Sequence, residues 1–156
     1  MKGPGPEYLP LHADANQPTP LPSYAQVANA TWLLSDFNPA NGATVFMPGS
    51  HKWCRHPVGA ESTDLSQTTA IEAPAGSVLI WHGNSWHGAL PRTAPGLRIS
   101  LVTFFSRHYI RPPKETFASK VDQAMLDRNP ARFTKLVDRS VMDIATQHIC
   151  RFSQFG

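Results

Sequence analysis

The chain has 156 residues, a formal net charge of +3, 41% apolar residues, 15 prolines and 10 glycines. One domain with a real core is expected at this length, and so many prolines and glycines exclude a helical bundle in favour of short strands joined by turns. No apolar run of about 18 residues exists, so no membrane span is expected. The scattered lysines and arginines give no basic run of the kind that marks a nucleic-acid surface.

Residues 1–10 are rich in Gly and Pro and lack an apolar h-region, so they do not read as a secretory signal. Cys54 and Cys150 form no CxxC and no zinc-spaced cluster, which fits reduced thiols in a cytoplasm. Tyr8 to Ala13 reads as a short strand ending near His12-Ala13-Asp14. Residues i and i+2 of a strand share a face, so His12 and Asp14 aim at one point. Taken alone, His-x-Asp is common by chance.

Asn16 to Ser23, with Pro18, Pro20 and Pro22, is a loop beside that point. Gln26 to Phe37 is a strand pattern with Trp32, Leu34 and Asp36 on one face. Asn41-Gly42 is a hairpin signal, and Ala43 to Met47 returns as a strand until Pro48-Gly49 breaks it. His51 follows that turn and is not taken as a ligand. Residues 53–67 are polar and irregular. Thr68–Ala73 and Ser77–His82 read as strands around the turn Pro74-Ala75-Gly76. Gly83-Asn84-Ser85 is a tight turn that sends Trp86, His87 and Gly88 back. Leu97 to Phe105 is a strong strand with Arg98, Ser100, Val102 and Phe104 on one face.

After Pro113 the pattern changes. Thr116 to Asp127 has a helical stripe of Phe117, Val121 and Met125. A second helix is expected from Asn129-Pro130 to about His148. The fold expected is mainly β: a jelly roll, or double-stranded β-helix, over residues 1–112. It has six or seven of the usual eight strands, so it is incomplete. Residues 113–156 add a C-terminal pair of helices to the same domain.

His12, Asp14 and the distant His87 match the two-His, one-carboxylate facial triad of non-haem Fe(II) oxygenases. Such a triad leaves open positions for a chelating co-substrate and dioxygen. Arg98, eleven residues after His87, suits the far carboxylate of a 2-oxo acid, because its planar fork pairs bidentately and stays charged.

The run from Trp32 to Lys52 resembles the phytanoyl-CoA dioxygenase family. It carries Trp32, the acidic Asp36, Asn41-Gly42 and Pro48-Gly49-Ser50-His51 in the family's order. The resemblance covers roughly residues 8 to 107. It implies iron ligation by His12, Asp14 and His87, and a 2-oxoglutarate site at Arg98 with Trp32 and Ser100. It further implies hydroxylation of a small organic substrate with release of succinate and CO2. Asp14 matters here, since halogenating relatives replace that carboxylate with a small residue. Ala89 stands where many members have a hydroxyl residue, and Arg92 lies near a position where many have Asn. Members also run longer before the His-x-Asp. Three alternatives stay open: a cupin-like protein that uses the metal without oxygen; a truncated, non-catalytic metal-binding remnant; and, ranked third, a nucleic-acid module, which a steep salt dependence of DNA or RNA affinity would mark. Association into a homo-oligomer is compatible with an unprotected sheet edge.

Overall fold

The computed structural model describes residues 1–107, 109–110 and 121–136. The chain divides into two compact units, Met1–Arg107 and His108–Gly156. The first holds seven strands: β1 (Leu9–His12), β2 (Val27–Leu33), β3 (Thr44–Phe46), β4 (Thr69–Ala70), β5 (Val78–His82), β6 (His87–Ala89) and β7 (Ser100–Ser106). They form two sheets, ordered β1-β6-β3-β4 and β5-β2-β7, with every pairing antiparallel.

The sheets face each other. Phe46 of β3 meets Trp81 of β5 edge to face, with ring centroids 5.6 Å apart. This is the jelly-roll arrangement, in which successive strands cross between two layers.

Two turns that suggest hairpins are corners between those layers instead. Asn38 caps a 3-10 turn over Pro39–Asn41 by accepting from the Asn41 N–H, and Gly42 ends it at φ 67°. A left-handed φ suits glycine. The chain turns there as its residues dictate, but β2 and β3 then join different sheets. The Gly83-Asn84-Ser85 turn does the same between β5 and β6. Turn chemistry bends the chain locally; the partner of the next strand is set by packing far along the sequence.

In β2, Val27, Asn29, Thr31 and Leu33 are buried, and Trp32 is 38% exposed. The period-two alternation of a strand places Asn29 inward and Trp32 outward. Val78 and Leu101 sit opposite Trp32 in the register, and Ile80 sits opposite Ala30. That outer face is therefore apolar and open, with Ile80 71% exposed.

Two apolar clusters fix the unit. Ala13, Ala15, Leu21 and Trp86 pack beside the loop ends, with Met47 and Cys54 against them. Leu33, Phe37 and Ala43 pack at the opposite end with Ala73. Loop 15–25 is tied down by the Leu21 N–H on the Cys54 carbonyl (2.6 Å) and by the Asn84 amide on the Pro22 carbonyl (2.8 Å). His56 Nε2 bonds the Gln17 carbonyl at 2.9 Å. The loops flanking β1 and β4 are thus clasped together over one end of the sheets.

In the second unit, α1 spans Gln123–Asp127, with the Asp122 side chain accepting from the Met125 N–H at its N-terminus. Asp is a favoured residue at that position. α2 spans Arg132–Leu136. Within the described residues α1 begins at Gln123, later than the sequence pattern suggests. The expected segments 116–120 and 137–148 lie outside the described residues. Among the described residues no helix is long and apolar enough to cross a membrane.

Candidate metal centre

Two strand ends bring His12 and Asp14 together with His87, which lies more than seventy residues further along the chain. His12 ends β1, Asp14 follows it in a bend, and His87 opens β6. β1 and β6 pair with Cα register His12–His87, so the two imidazoles stand side by side with centroids 4.3 Å apart. One ligand atom from each of His12, Asp14 and His87 lies within 4.8 Å of the others. His12 Nε2 is 3.6 Å from Asp14 Oδ1, and His87 Nε2 is 3.2 Å from Asp14 Oδ2.

The remaining hydrogen bonds orient the donors. His12 Nδ1 lies 3.0 Å from the Pro10 carbonyl, and His87 Nδ1 lies 3.0 Å from the Ser85 carbonyl. A carbonyl only accepts, so each Nδ1 carries the proton. Each Nε2 of a neutral ring then presents a lone pair toward Asp14. Outer partners of this kind hold a metal-binding histidine in the right tautomer and orientation.

Asp14 is held from the facing sheet. Asn29 Nδ2 donates to Oδ2 at 2.5 Å and Trp81 Nε1 donates to it at 3.1 Å. Oδ2 is thereby occupied, and Oδ1 keeps its lone pairs. Two imidazole nitrogens and one carboxylate oxygen thus converge with no proton donor fixed between them. Such a donor set is electron-rich and suits a borderline divalent cation.

The titration behaviour follows from this packing. Burial alone would raise the Asp14 pKa, but His12, the charge of His87 and the Trp81 N–H together hold it below the usual carboxylate value. The Asp14 carboxylate raises His12. Burial lowers His87, which keeps its Nε2 lone pair free at neutral pH.

The structure treats the other residues read from the sequence differently. Trp32 does not join the triad: it lies on the outer face of β2, opposite in direction to Asn29. Strand alternation is the reason. Ser100 opens β7 opposite Leu33, four residues along β2 from Asn29. Arg98 lies outside the regular strand expected for it, in an isolated bridge with Lys2. Its Nη1 donates to the Gly42 carbonyl, and its guanidinium carbon stands 4.4 Å from the Phe37 ring centroid. Asn29 and Trp81 are the site residues that sequence reading missed. The signal for Asn29 was an amide at an inward position of an otherwise apolar strand.

The fold is that of a double-stranded β-helix protein, and comparison with known proteins identifies the group. The sequence profile of the phytanoyl-CoA dioxygenase family matches residues 1–100. The chain belongs to that family. It is 32% identical over 112 residues to dioxygenase af480 of Aspergillus fumigatus, an alignment covering 70% of this chain and 36% of that protein. The chain thus spans well under half the length of that relative. Its fold matches AviO1 from Streptomyces viridochromogenes at TM-score 0.57 and 21% identity, over 71% of this chain and 49% of that one. It also matches the epimerase SnoN, whose structure holds Fe3+, alpha-ketoglutarate and nogalamycin RO. There the TM-score is 0.51 at 19% identity, over 67% of this chain and 46% of that one.

Proposed function

We propose that this chain carries the catalytic centre of an Fe(II)- and 2-oxoglutarate-dependent dioxygenase that hydroxylates a small organic substrate and releases succinate and CO2. The observation that carries the reading is the convergence of His12, Asp14 and His87 with both Nδ1 atoms tied to carbonyls. Family membership supports the same chemistry.

His12 Nε2, His87 Nε2 and Asp14 Oδ1 would hold the iron. When bound, it supplies the redox chemistry with dioxygen that a protein side chain cannot perform. The chain's own residues do the rest. The Pro10 and Ser85 carbonyls keep the imidazole protons on the far side of each ring. Asn29 and Trp81 hold the carboxylate so that it cannot rotate away. Phe46, whose ring lies 5.6 Å from that of His87, keeps water from one side. Arg98 supplies the cation for the far carboxylate of the 2-oxo acid, and Ser100 follows it on the inward parity of β7. Loops 15–25 and 53–67, clasped at the triad end, wall the substrate side. A reducing, cytoplasmic setting suits both Fe(II) and the free thiol of Cys54.

Substrate-dependent formation of succinate from 2-oxoglutarate under air tests the reading. Wild-type protein loaded with Fe(II) is expected to form it, and His87→Ala is expected to lose it. Equal succinate formation by both proteins would contradict the assignment.

A further inference from the structure

β7 is an edge strand. It pairs with β2 on one side, and among the described residues no strand pairs with it on the other. The Leu34 and Arg107 N–H groups donate to the Ile99 and Gln26 carbonyls, both at 3.0 Å. Antiparallel pairs alternate, so the odd-numbered residues of β7 bond β2 and the even-numbered ones turn their N–H and C=O groups the other way. Arg98, just before the strand, shows this directly: it exchanges two backbone hydrogen bonds of 2.9 Å with Lys2 on that side. Beyond Arg98, the main chains of Val102 and Phe104 face the same way.

Soluble proteins usually guard such an edge with charge, proline or a covering element. Ser100–Ser106 reads SLVTFFS, with no charged residue and no proline. Leu101 and Phe105, on the face of Trp32, and Val102 and Phe104, on the face of Asn29, are each 43–58% exposed. The strand is also symmetric in character about Thr103. Two copies run antiparallel with Thr103 at the centre bring Leu101 against Phe105 and Val102 against Phe104, each twice over. The same register makes Val102 and Phe104 the hydrogen-bonded pairs, as the outward direction of their main chains requires. It sets the two copies of Arg107 at opposite ends of the paired strands, about 27 Å apart, so these like charges stay separated.

We propose that two copies of this chain pair β7 to β7 across a two-fold axis at Thr103, joining their three-stranded sheets into one of six strands. A two-fold interface uses the same patch on both copies and so needs a self-complementary strand, which Leu101 to Phe105 supplies. The four side chains leave on the order of 400 Å² of apolar surface per copy. That is about half of what a standard interface buries on each partner, so the dimer is reversible, with a Kd on the order of 10 μM. The added strand extends the layer from which Asn29 reaches Asp14.

The test is analytical ultracentrifugation of the full chain from about 1 to 200 μM. Wild type is expected to pass from monomer to dimer over that range. Val102→Lys, which sets a charge against the partner's Phe104, is expected to weaken the dimer at least about tenfold. Val102→Pro removes only an outward N–H and carries the same expectation should Val102→Lys fold poorly. Mixing Val102→Lys with Phe104→Glu is expected to restore association, because opposite charges then face each other. Mild oxidation of Thr103→Cys is expected to give a covalent dimer, since opposed residues of a non-hydrogen-bonded pair stand about 4.5 Å apart. Wild type and Leu101→Cys should give none. A monomer at every concentration, or a dimer that survives in folded Val102→Lys and Val102→Pro, would overturn the β7 interface. A dimer without the Thr103→Cys cross-link would overturn the register, and growth beyond a dimer would overturn the two-fold closure.

Discussion

Asn29 donates to Asp14 Oδ2 at 2.5 Å from the facing sheet. With the Trp81 indole N–H at 3.1 Å, it holds the carboxylate of the triad in one orientation. Neither residue is placed to ligate the metal itself. Second-layer contacts of this type typically change metal affinity by about 10- to 100-fold. Asn29→Ala and Trp81→Phe are therefore expected to weaken Fe(II) or Mn(II) binding within that range while the protein stays folded. Trp81→Phe removes the N–H while keeping an aromatic ring, though a smaller one, beside Phe46 and His87. Metal titration of the purified variants checks this; wild-type affinity in both would show that Asp14 needs no such support.

Trp32 supplies a contrasting prediction. It faces outward beside Val78 and Leu101, away from Asn29. Trp32→Ala is expected to change 2-oxoglutarate affinity less than about twofold, within the range of surface substitutions. A larger loss, measured by calorimetry, would place the indole at the co-substrate after all.

Gly88 tests how tightly β1 and β6 must approach for the two histidines to meet. A Cβ at Gly88 would collide with the Leu9 carbonyl. Gly88→Ala is expected to push β1 away from β6 and to cost about 1–3 kcal/mol, as overpacking does. Since β1 carries His12, metal affinity should fall as well. Chemical denaturation and metal titration on the same sample read both effects.

The loop over residues 53–67 carries a pH signature. Glu61 forms a bidentate pair with Arg55 at 2.7 and 2.8 Å and accepts from the Val58 N–H at 3.0 Å. Arg55 is the main reason that its pKa is lowered from 4.5 to about 2. A lowered folded-state pKa means that the stabilisation is present above the unfolded value and is lost as pH falls through the folded one. The Tm difference between wild type and Glu61→Gln is therefore expected to be largest above about pH 5 and to shrink between pH 4.5 and 2. Both groups are exposed, so the effect should be small and salt-sensitive. A Tm difference independent of pH would show that the pair contributes nothing.

Some of this was legible in the sequence and some was not, for physical reasons. The strands could be read from alternation and turn residues, and the His-x-Asp with a distant His could be read because the chemistry demands those types together. The route between sheets was hidden at Asn41-Gly42 and at Gly83-Asn84-Ser85. Those residues say that the chain turns, whereas the receiving sheet depends on contacts remote in sequence. Alternation put Trp32 on one face of its strand with Leu34 and Asp36, but could not say which face turns toward the triad. Here β2 turns the polar Asn29 inward to meet Asp14 and leaves its tryptophan on an open apolar face.

The most direct test of the central claim is an anaerobic titration of the chain with Fe(II) and 2-oxoglutarate, followed by the weak visible charge-transfer band of the chelate. One Fe(II) per chain, with the band absent in His12→Ala and His87→Ala, is the expected result. A band of equal strength in wild type and both variants, or no band in any of them, would contradict a metal centre built from His12, Asp14 and His87.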